Sequence, residues 1–259
     1  MTEGAARAAY VDTVSTQPLL ARLPTPGSIA AASTIEAHGI TEWRLSNGAR
    51  VVLKPTMFKQ DEILFRAVSP GGTSLASDED FVAAETADAV IAQGGLGAHS
   101  LVNLEKVLAG TTAFVRANIG ETEEGLVGGT TNKDLETMFQ LVYLTFTAPR
   151  ADPVAFGVLS DRLKVTLASR AVMPDTIFEE ALDAAVTQGH PRALPLTPVR
   201  VDQMNLGTSL AFYEDRFADA SDFTFVFVGS FELETLKPLV ERYLASLPAL
   251  KRNEAPKDV

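Results

Sequence analysis

The chain has 259 residues, 46% of them hydrophobic, which is enough to bury at least one large core in one or two domains. A formal net charge of −11 without any basic run excludes nucleic acid and anionic membrane surfaces as partners, because phosphate binding depends on clustered Lys and Arg. With no cysteine, disulfides, thiolate nucleophiles and thiolate metal sites are excluded together, and the redox compartment cannot be read from the chain.

The amino terminus lacks a charged-then-apolar signal pattern, and no apolar run approaches the roughly 20 residues a bilayer span needs. The sequence therefore reads as soluble, in the periplasm or the cytoplasm. Thr2 to Ser15 is Ala-rich and predicts a helix, after which Pro18, Pro24, Pro26 and Gly27 predict an extended linker. Residues 1–38 are thus expected to be a helix and linker segment, residues 39–250 one domain, and the polar residues 251–259 the start of a second linker, so both ends read as cut from a longer protein.

Asn47-Gly48 between two short alternating runs predicts a tight hairpin joining strands at Glu42 to Leu45 and Arg50 to Lys54, with both turn residues at positive φ. Glu62 to Ser69 reads as a third strand, ended by Pro70 and Gly71. Ser77 followed by Asp80 resembles a capping box, and Phe81, Ala84, Ala87, Val90 and Ile91 recur at helical spacing until Gly94. A short helix follows at Leu101 to Leu108, then two strands in "TTAFVRANI" and "EGLVGGT". "NKDLETMFQLVYLTFTAPR" is apolar nearly all round, which predicts a deeply buried helix. Asp152 to Arg170 and Asp175 to Gln188 continue as helices, and a loop marked by Pro191, Pro195 and Pro198 leads to a helix at Leu206 to Phe217. "FTFVFVG" carries apolar residues on both faces and predicts a central strand, and Glu232 to Leu247 predicts the closing helix. Early strands joined by hairpins and late helices indicate an α+β two-layer sandwich, a mainly antiparallel sheet with helices on one face.

The residues offer little chemistry. His38, His99 and His190 lie in a linker and two loops, none with a Glu or His one helical turn away, so they read as surface or capping histidines. No serine sits in a nucleophile elbow, and the acids of "SDED" and "GETEEG" fall at helix starts and turns. "GLVGGTTNKD" has the wrong spacing for a phosphate loop, and Gly125, Gly128 and Gly129 read instead as places where the strand bulges or another backbone comes close.

Taken together, "WRLSNGARVVLKPT", "GLVGGTTNKDLETMFQLVYLTFTAPR" and "LAFYEDRFADASDFTFVFVGSF" with the helix ending "LASLP" resemble one domain of the pitrilysin/insulinase family of zinc metallopeptidases, over about Thr41 to Leu250. Active members of that family carry H-x-x-E-H on the helix after the third strand, and a further glutamate on a downstream helix. Aligning "QGG" with the glycine that follows the motif places Glu85 at the first histidine, Asp88 at the glutamate and Ala89 at the second histidine, and the downstream helix supplies only Asp152 and Asp161.

The resemblance accordingly implies a non-catalytic, third-domain-like unit. It would hold no cofactor itself, with zinc in the catalytic domain of the parent protein, and would help to form a clamshell chamber around peptide. Its implied partners are sister domains or a paralogous subunit and peptide substrate, with homo-oligomers forming through an exposed domain interface. The alternatives are a stand-alone peptide-binding scaffold and a hydrolase with a different site. Strand alternation in "TTAFVRANI" puts Phe114, Arg116 and Asn118 on one face and Ala113, Val115, Ala117 and Ile119 on the other. The first set is expected to face away from the helices, so Arg116 and Asn118, with Arg66, are the candidate substrate-facing residues.

Overall fold

The structure, a computed structural model, describes residues 17–259, so the helix predicted at Thr2 to Ser15 lies outside the described residues. Among the described residues, seven strands form one sheet: β1 (Ile29–Ile35), β2 (Ile40–Leu45), β3 (Arg50–Pro55), β4 (Ile63–Pro70), β5 (Phe114–Ile119), β6 (Glu123–Thr130) and β7 (Thr224–Gly229). They lie in the order β1-β2-β3-β7-β4-β6-β5, every pair antiparallel except β3 with β7. The helices are α1 (Phe81–Glu85), α2 (Ala87–Gly94), α3 (Leu101–Val107), α4 (Leu135–Thr147), α5 (Pro153–Arg170), α6 (Pro174–Val186), α7 (Pro198–Val201), α8 (Leu206–Arg216) and α9 (Leu233–Leu239). The expected α+β sandwich is present.

Burial alternates along the central strands because one face carries helices and the other does not. On β4, Ile63, Phe65 and Ala67 are buried while Leu64 and Arg66 are exposed. β7 is the middle strand of the seven, with Phe225 and Phe227 fully buried and Thr224, Val226 and Val228 half-buried on the open face. Phe227 stands 5.0 Å from Phe65 and 5.3 Å from Phe139 of α4, ring centre to ring centre, and Phe146 packs edge-on against Phe223 at 4.9 Å. The glycines of β6 serve close approach, since a Cβ on Gly125 would lie 2.1 Å from the Ala67 carbonyl oxygen and one on Gly128 would lie 2.5 Å from that of Phe114. The strand pairs continuously through them, without a bulge.

Several expectations are corrected. Ile29–Ile35, read as linker, is the edge strand of the sheet, paired antiparallel with β2. The hairpin after β2 is a three-residue turn at Ser46 to Gly48 in which only Gly48 takes a positive φ, 99°, while the Asn47 side chain donates to the carbonyls of Leu244 and Leu247. The helix expected over Phe81 to Gly94 is interrupted at Thr86, whose hydroxyl donates to the Val82 carbonyl at 2.8 Å. The closing helix changes its hydrogen-bond spacing after Pro238, from i→i−4 to i→i−5, with a π-turn over Val240–Leu244. Residues 251–259, read as a linker start, fold back onto the domain: the Arg252 N–H donates to Asp219 Oδ2 at 2.6 Å and the Lys257 N–H to Ser74 Oγ at 3.0 Å. His99 is buried rather than superficial, its Nε2 3.2 Å from the Pro18 carbonyl oxygen.

A buried polar cluster ties this tail to the sheet. Arg216 at the end of α8 is 4% exposed and binds Asp215 at 2.5 Å and Glu254 at 3.0 Å. Beside it Glu124 of β6, 2% exposed, accepts from the Gly72 N–H at 2.6 Å, while its other oxygen has no hydrogen-bond partner. Burial pushes the Glu124 carboxyl up from about 4.5 to about 7, against the lowering effect of the Gly72 N–H and Arg216. Asp222 is likewise pushed up by burial, to about 6.

The folded state therefore retains a proton on Glu124 that the unfolded chain has lost between pH 4.5 and 7, and stability falls as pH rises through that window. Asp219, held down to about 2 by N–H donors and the Ser221 hydroxyl despite burial, acts oppositely and loses its contribution only in stronger acid. Glu124→Gln is expected to raise stability at pH 8 by on the order of 1–3 kcal/mol and to flatten the pH dependence between pH 5 and 8. Denaturant melts at both pH values check this, and equal losses at the two would refute it.

Candidate functional site

Glu85 ends α1, Asp88 lies in the first turn of α2 and Ala89 follows, so the interruption at Thr86 falls within the segment aligned with the metal motif. Glu85 lines a cavity with Thr73, Phe81, Glu121, His190 and Arg192, and its carboxyl is raised by burial, opposed by the Arg200 charge. Asp88 lines a different cavity, of about 400 Å³, between α2, α3, β5 and α8. Its Oδ2 accepts from the Ile119 N–H at 3.3 Å and its Oδ1 from the Ala89 N–H at 2.6 Å, and burial raises it above the usual aspartate range.

These residues do not fit a catalytic zinc. Ala89 has no donor atom, and Glu85 and Asp88 open into separate cavities. Of the downstream acids, Asp152 caps α5 by accepting from the N–H groups of Val154 and Ala155, and Asp161 is solvated. Among the described residues, no group of three or more His, Asp or Glu side chains is placed to hold a metal ion.

Arg66, Arg116 and Asn118 all lie exposed on the sheet face that the helices leave open. Arg66 pairs across the face with Glu123 at 2.8 Å, and the Arg116 guanidinium lies 5.8 Å from the Phe114 ring. The register sets Arg66, Val127 and Arg116 in one row across β4, β6 and β5, with Leu64, Gly129 and Phe114 in the next. Strand alternation was enough to find these residues. The cavity at Asp88 was not legible, because α4 and α8, which complete its wall, lie far along the chain from α2, α3 and β5.

No family model matches the sequence. Over 236 residues the chain is 26% identical to an Arabidopsis thaliana protein named zinc protease PQQL-like, covering 89% of this chain and 22% of that protein. It is also 26% identical to the probable zinc protease PqqL of Haemophilus influenzae, covering 85% and 24%. Its fold matches the periplasmic protease PqqL of Escherichia coli with a TM-score of 0.80 at 22% identity, over 97% of this chain and 28% of the other. A peptidase M16 inactive domain from Pseudomonas fluorescens matches with a TM-score of 0.65 at 15% identity, over 84% and 54%.

The chain has the fold of these peptidase domains. It spans about a quarter of the length of the zinc-protease relatives it matches. Among the described residues, no helix is long and apolar enough to cross a membrane.

The surface of the domain has a second conspicuous region. α5 has no fully buried residue and α6 only Thr176, and between them they expose Val154, Val158, Val165, Ile177, Phe178 and Val186. The residues at 154, 158 and 165 recur at helical spacing and form one stripe on α5.

Proposed function

We propose that this chain is a non-catalytic domain of a zinc-dependent peptidase, one that walls the substrate chamber and contacts peptide while zinc chemistry occurs in another domain of the parent protein. The observation that carries the reading is the substitution of Glu85, Asp88 and Ala89 at the metal motif, with the two carboxylates opening into separate cavities. The uncovered sheet face bearing Arg66, Arg116 and Asn118 supports peptide contact there, since spaced cations among exposed Leu64, Val127 and Phe114 suit an extended chain. The exposed apolar side chains of α5 and α6 support docking against a sister domain, because apolar surface left in water in quantity is a common sign of an interface.

The test is metal analysis of chelator-free protein together with a fluorogenic peptide assay. The expected result is no stoichiometric zinc and no turnover. Stoichiometric zinc with chelator-sensitive cleavage, abolished by Glu85→Ala or Asp88→Ala, would overturn the reading in favour of a hydrolase acting by itself. For the docking surface, the isolated chain is expected to self-associate at high concentration, and Val158→Ser combined with Phe178→Ser to shift light scattering towards the monomer without lowering thermal stability. A wild-type chain that stays monomeric and fails to bind the remaining part of its precursor would remove that element.

A further inference from the structure

Where the C-terminal tail meets the end of the sheet, hydrogen bonding is incomplete. β4 runs between β6 and β7, with Ser69 opposite Glu124 in register and Asp222 in the turn just before β7. Among the described residues, the buried side-chain atoms without a hydrogen-bond partner are Ser69 Oγ, Glu124 Oε1, Asp222 Oδ1 and Arg216 Nε, and all of them belong to this cluster. Unpaired polar atoms are rare inside proteins, so their gathering at one place marks an arrangement held against a polar cost.

Arg216 has two carboxylates within its reach but holds the one on the tail. Its Nη1 binds Glu254 at 3.0 Å, yet a Cβ on Gly71 would stand 2.8 Å from that same Nη1 and 2.9 Å from Glu124 Oε2. Arg252, the tail's own cation, meets Asp215 at 2.9 Å and Glu254 at 3.4 Å. Glu254 is the member of the cluster that the tail carries, and its charge repels both Glu124 and Asp222. The tail also covers something. The Lys257 N–H rests on Ser74 Oγ, the neighbouring Thr73 lines the cavity that contains Glu85, and Val259 lines that cavity too.

We propose that residues 251–259 are a strap over the Glu85 cavity, shut while Glu124 and Asp222 are protonated and Arg216 grips Glu254, and released when both ionise and the guanidinium turns to Glu124. Coupling between the two events is reciprocal. Burial first, and then the Glu254 charge, makes Glu124 and Asp222 harder to ionise, so their ionisation weakens the docking of Glu254 by the same factor, about tenfold for each unit of pKa that docking adds. Departure of the strap also lets water reach the unpaired atoms. The direction follows: shut below about pH 6, open above about pH 7.

The other charged groups around the switch do not set this window. Asp215 of α8 is held below the ordinary aspartate range, despite burial, by Arg216 and Arg252, and Asp219 in the turn before β7 by the Ser221 hydroxyl and N–H donors, so both stay ionised throughout. Arg216 and Arg252 keep their charge at every pH in question. The chain has no cysteine, so Asp258→Cys offers a single attachment point for a nitroxide on the full chain. Its spin-resonance spectrum is recorded from about pH 5 to about pH 8 beside far-ultraviolet circular dichroism. The label is expected to be immobile at the acid end and to gain mobility between about pH 6 and 7, the mobile-to-immobile ratio rising about tenfold or more, with dichroism unchanged.

Glu124→Gln combined with Asp222→Asn, which cannot ionise, is expected to keep the label immobile at the alkaline end. Glu254→Gln, which carries no charge to expel, is expected to give equal mobility at both ends, and because it lies on the tail it still decides the matter if the double variant does not fold. In a separate chain, a bimane dye on Glu85→Cys should shift its emission to the red over the same pH range as water enters the cavity. A label immobile at both ends overturns the strap, as does a rise in mobility that survives Glu254→Gln or that appears only when dichroism is lost. Release of the strap without a bimane shift overturns its covering of the Glu85 cavity.

Discussion

Replacing Phe227 with alanine is expected to lower stability by about 3–5 kcal/mol, the largest effect of any single truncation in the sheet. Phe227 is fully buried in the middle strand and is held between Phe65 on the neighbouring strand and Phe139 on the helix layer, with ring centres 5.0 and 5.3 Å away. Neither neighbour can collapse into the vacated space. Phe65 is fixed by strand pairing on both sides, and Phe139 lies on a helix already packed against Tyr243, at 6.2 Å. Most of the cavity therefore persists, and the cost is the lost transfer energy together with the void. Urea denaturation measures it, and Phe227→Leu, which retains most of the volume, is expected to lose less than half as much. A loss below about 1.5 kcal/mol for the alanine variant would show that the two layers relax and that this core is less tightly packed than the ring geometry indicates.

Arg216→Ala is expected to cost about 3–5 kcal/mol and to free the C-terminal tail. The guanidinium is 4% exposed, binds Glu254 and Asp215, and lies close enough to Glu124 to lower its pKa. It also sits 5.6 Å from the Phe212 ring. Removing it leaves Glu124 without its cation and Glu254 with only Arg252, at 3.4 Å, and the penalty for the stranded Glu124 charge exceeds anything the pair contributed when intact. Two signatures separate this from simple cavity formation. The loss should shrink as the pH is lowered from 8 to 5, since the stranded Glu124 carboxyl then takes up a proton, and Arg216→Met combined with Glu124→Gln should recover a substantial part of it. Limited proteolysis should cut residues 251–259 faster in the single variant. A pH-independent loss would show that the cluster acts through packing alone.

What the sequence made legible follows from which physical constraints act locally. β4 and β7 were legible because their alternation records a sheet with one covered face, and the turn at Gly48 because the positive φ there is a requirement of the backbone. Ile29–Ile35 was hidden for the converse reason. All but its first residue are exposed, so neither face left a hydrophobic record, and only its hydrogen bonds to β2 make it a strand. The interruption at Thr86 depends on a hydroxyl returning to a carbonyl, which propensity does not distinguish from an uninterrupted helix. The sequence resemblance puts Glu85, Asp88 and Ala89 at the motif positions, but the division of the two carboxylates between two cavities depends on the turn at Thr86 and on β5. The partnership of Glu124 with Arg216 joins side chains far apart in the chain, and no local pattern encodes it.

The position of β7 also constrains the order in which the molecule can be made. β3 meets the remainder of the sheet only through β7, with Arg50 opposite Thr224, and β4 borders β7 on its other side, with Ile63 opposite Gly229. Until the ribosome has released residues 224–229, the nascent chain holds two separate partial sheets, one of β1 to β3 and one of β4 to β6, each with an inner edge waiting for the same late strand. Such distant pairing slows folding and leaves both edges available to other chains in the interval. Trigger-factor-type chaperones that shield extended segments are therefore most needed between synthesis of β6 and release of β7, and a translational pause placed just after β7 has cleared the exit tunnel would close that interval.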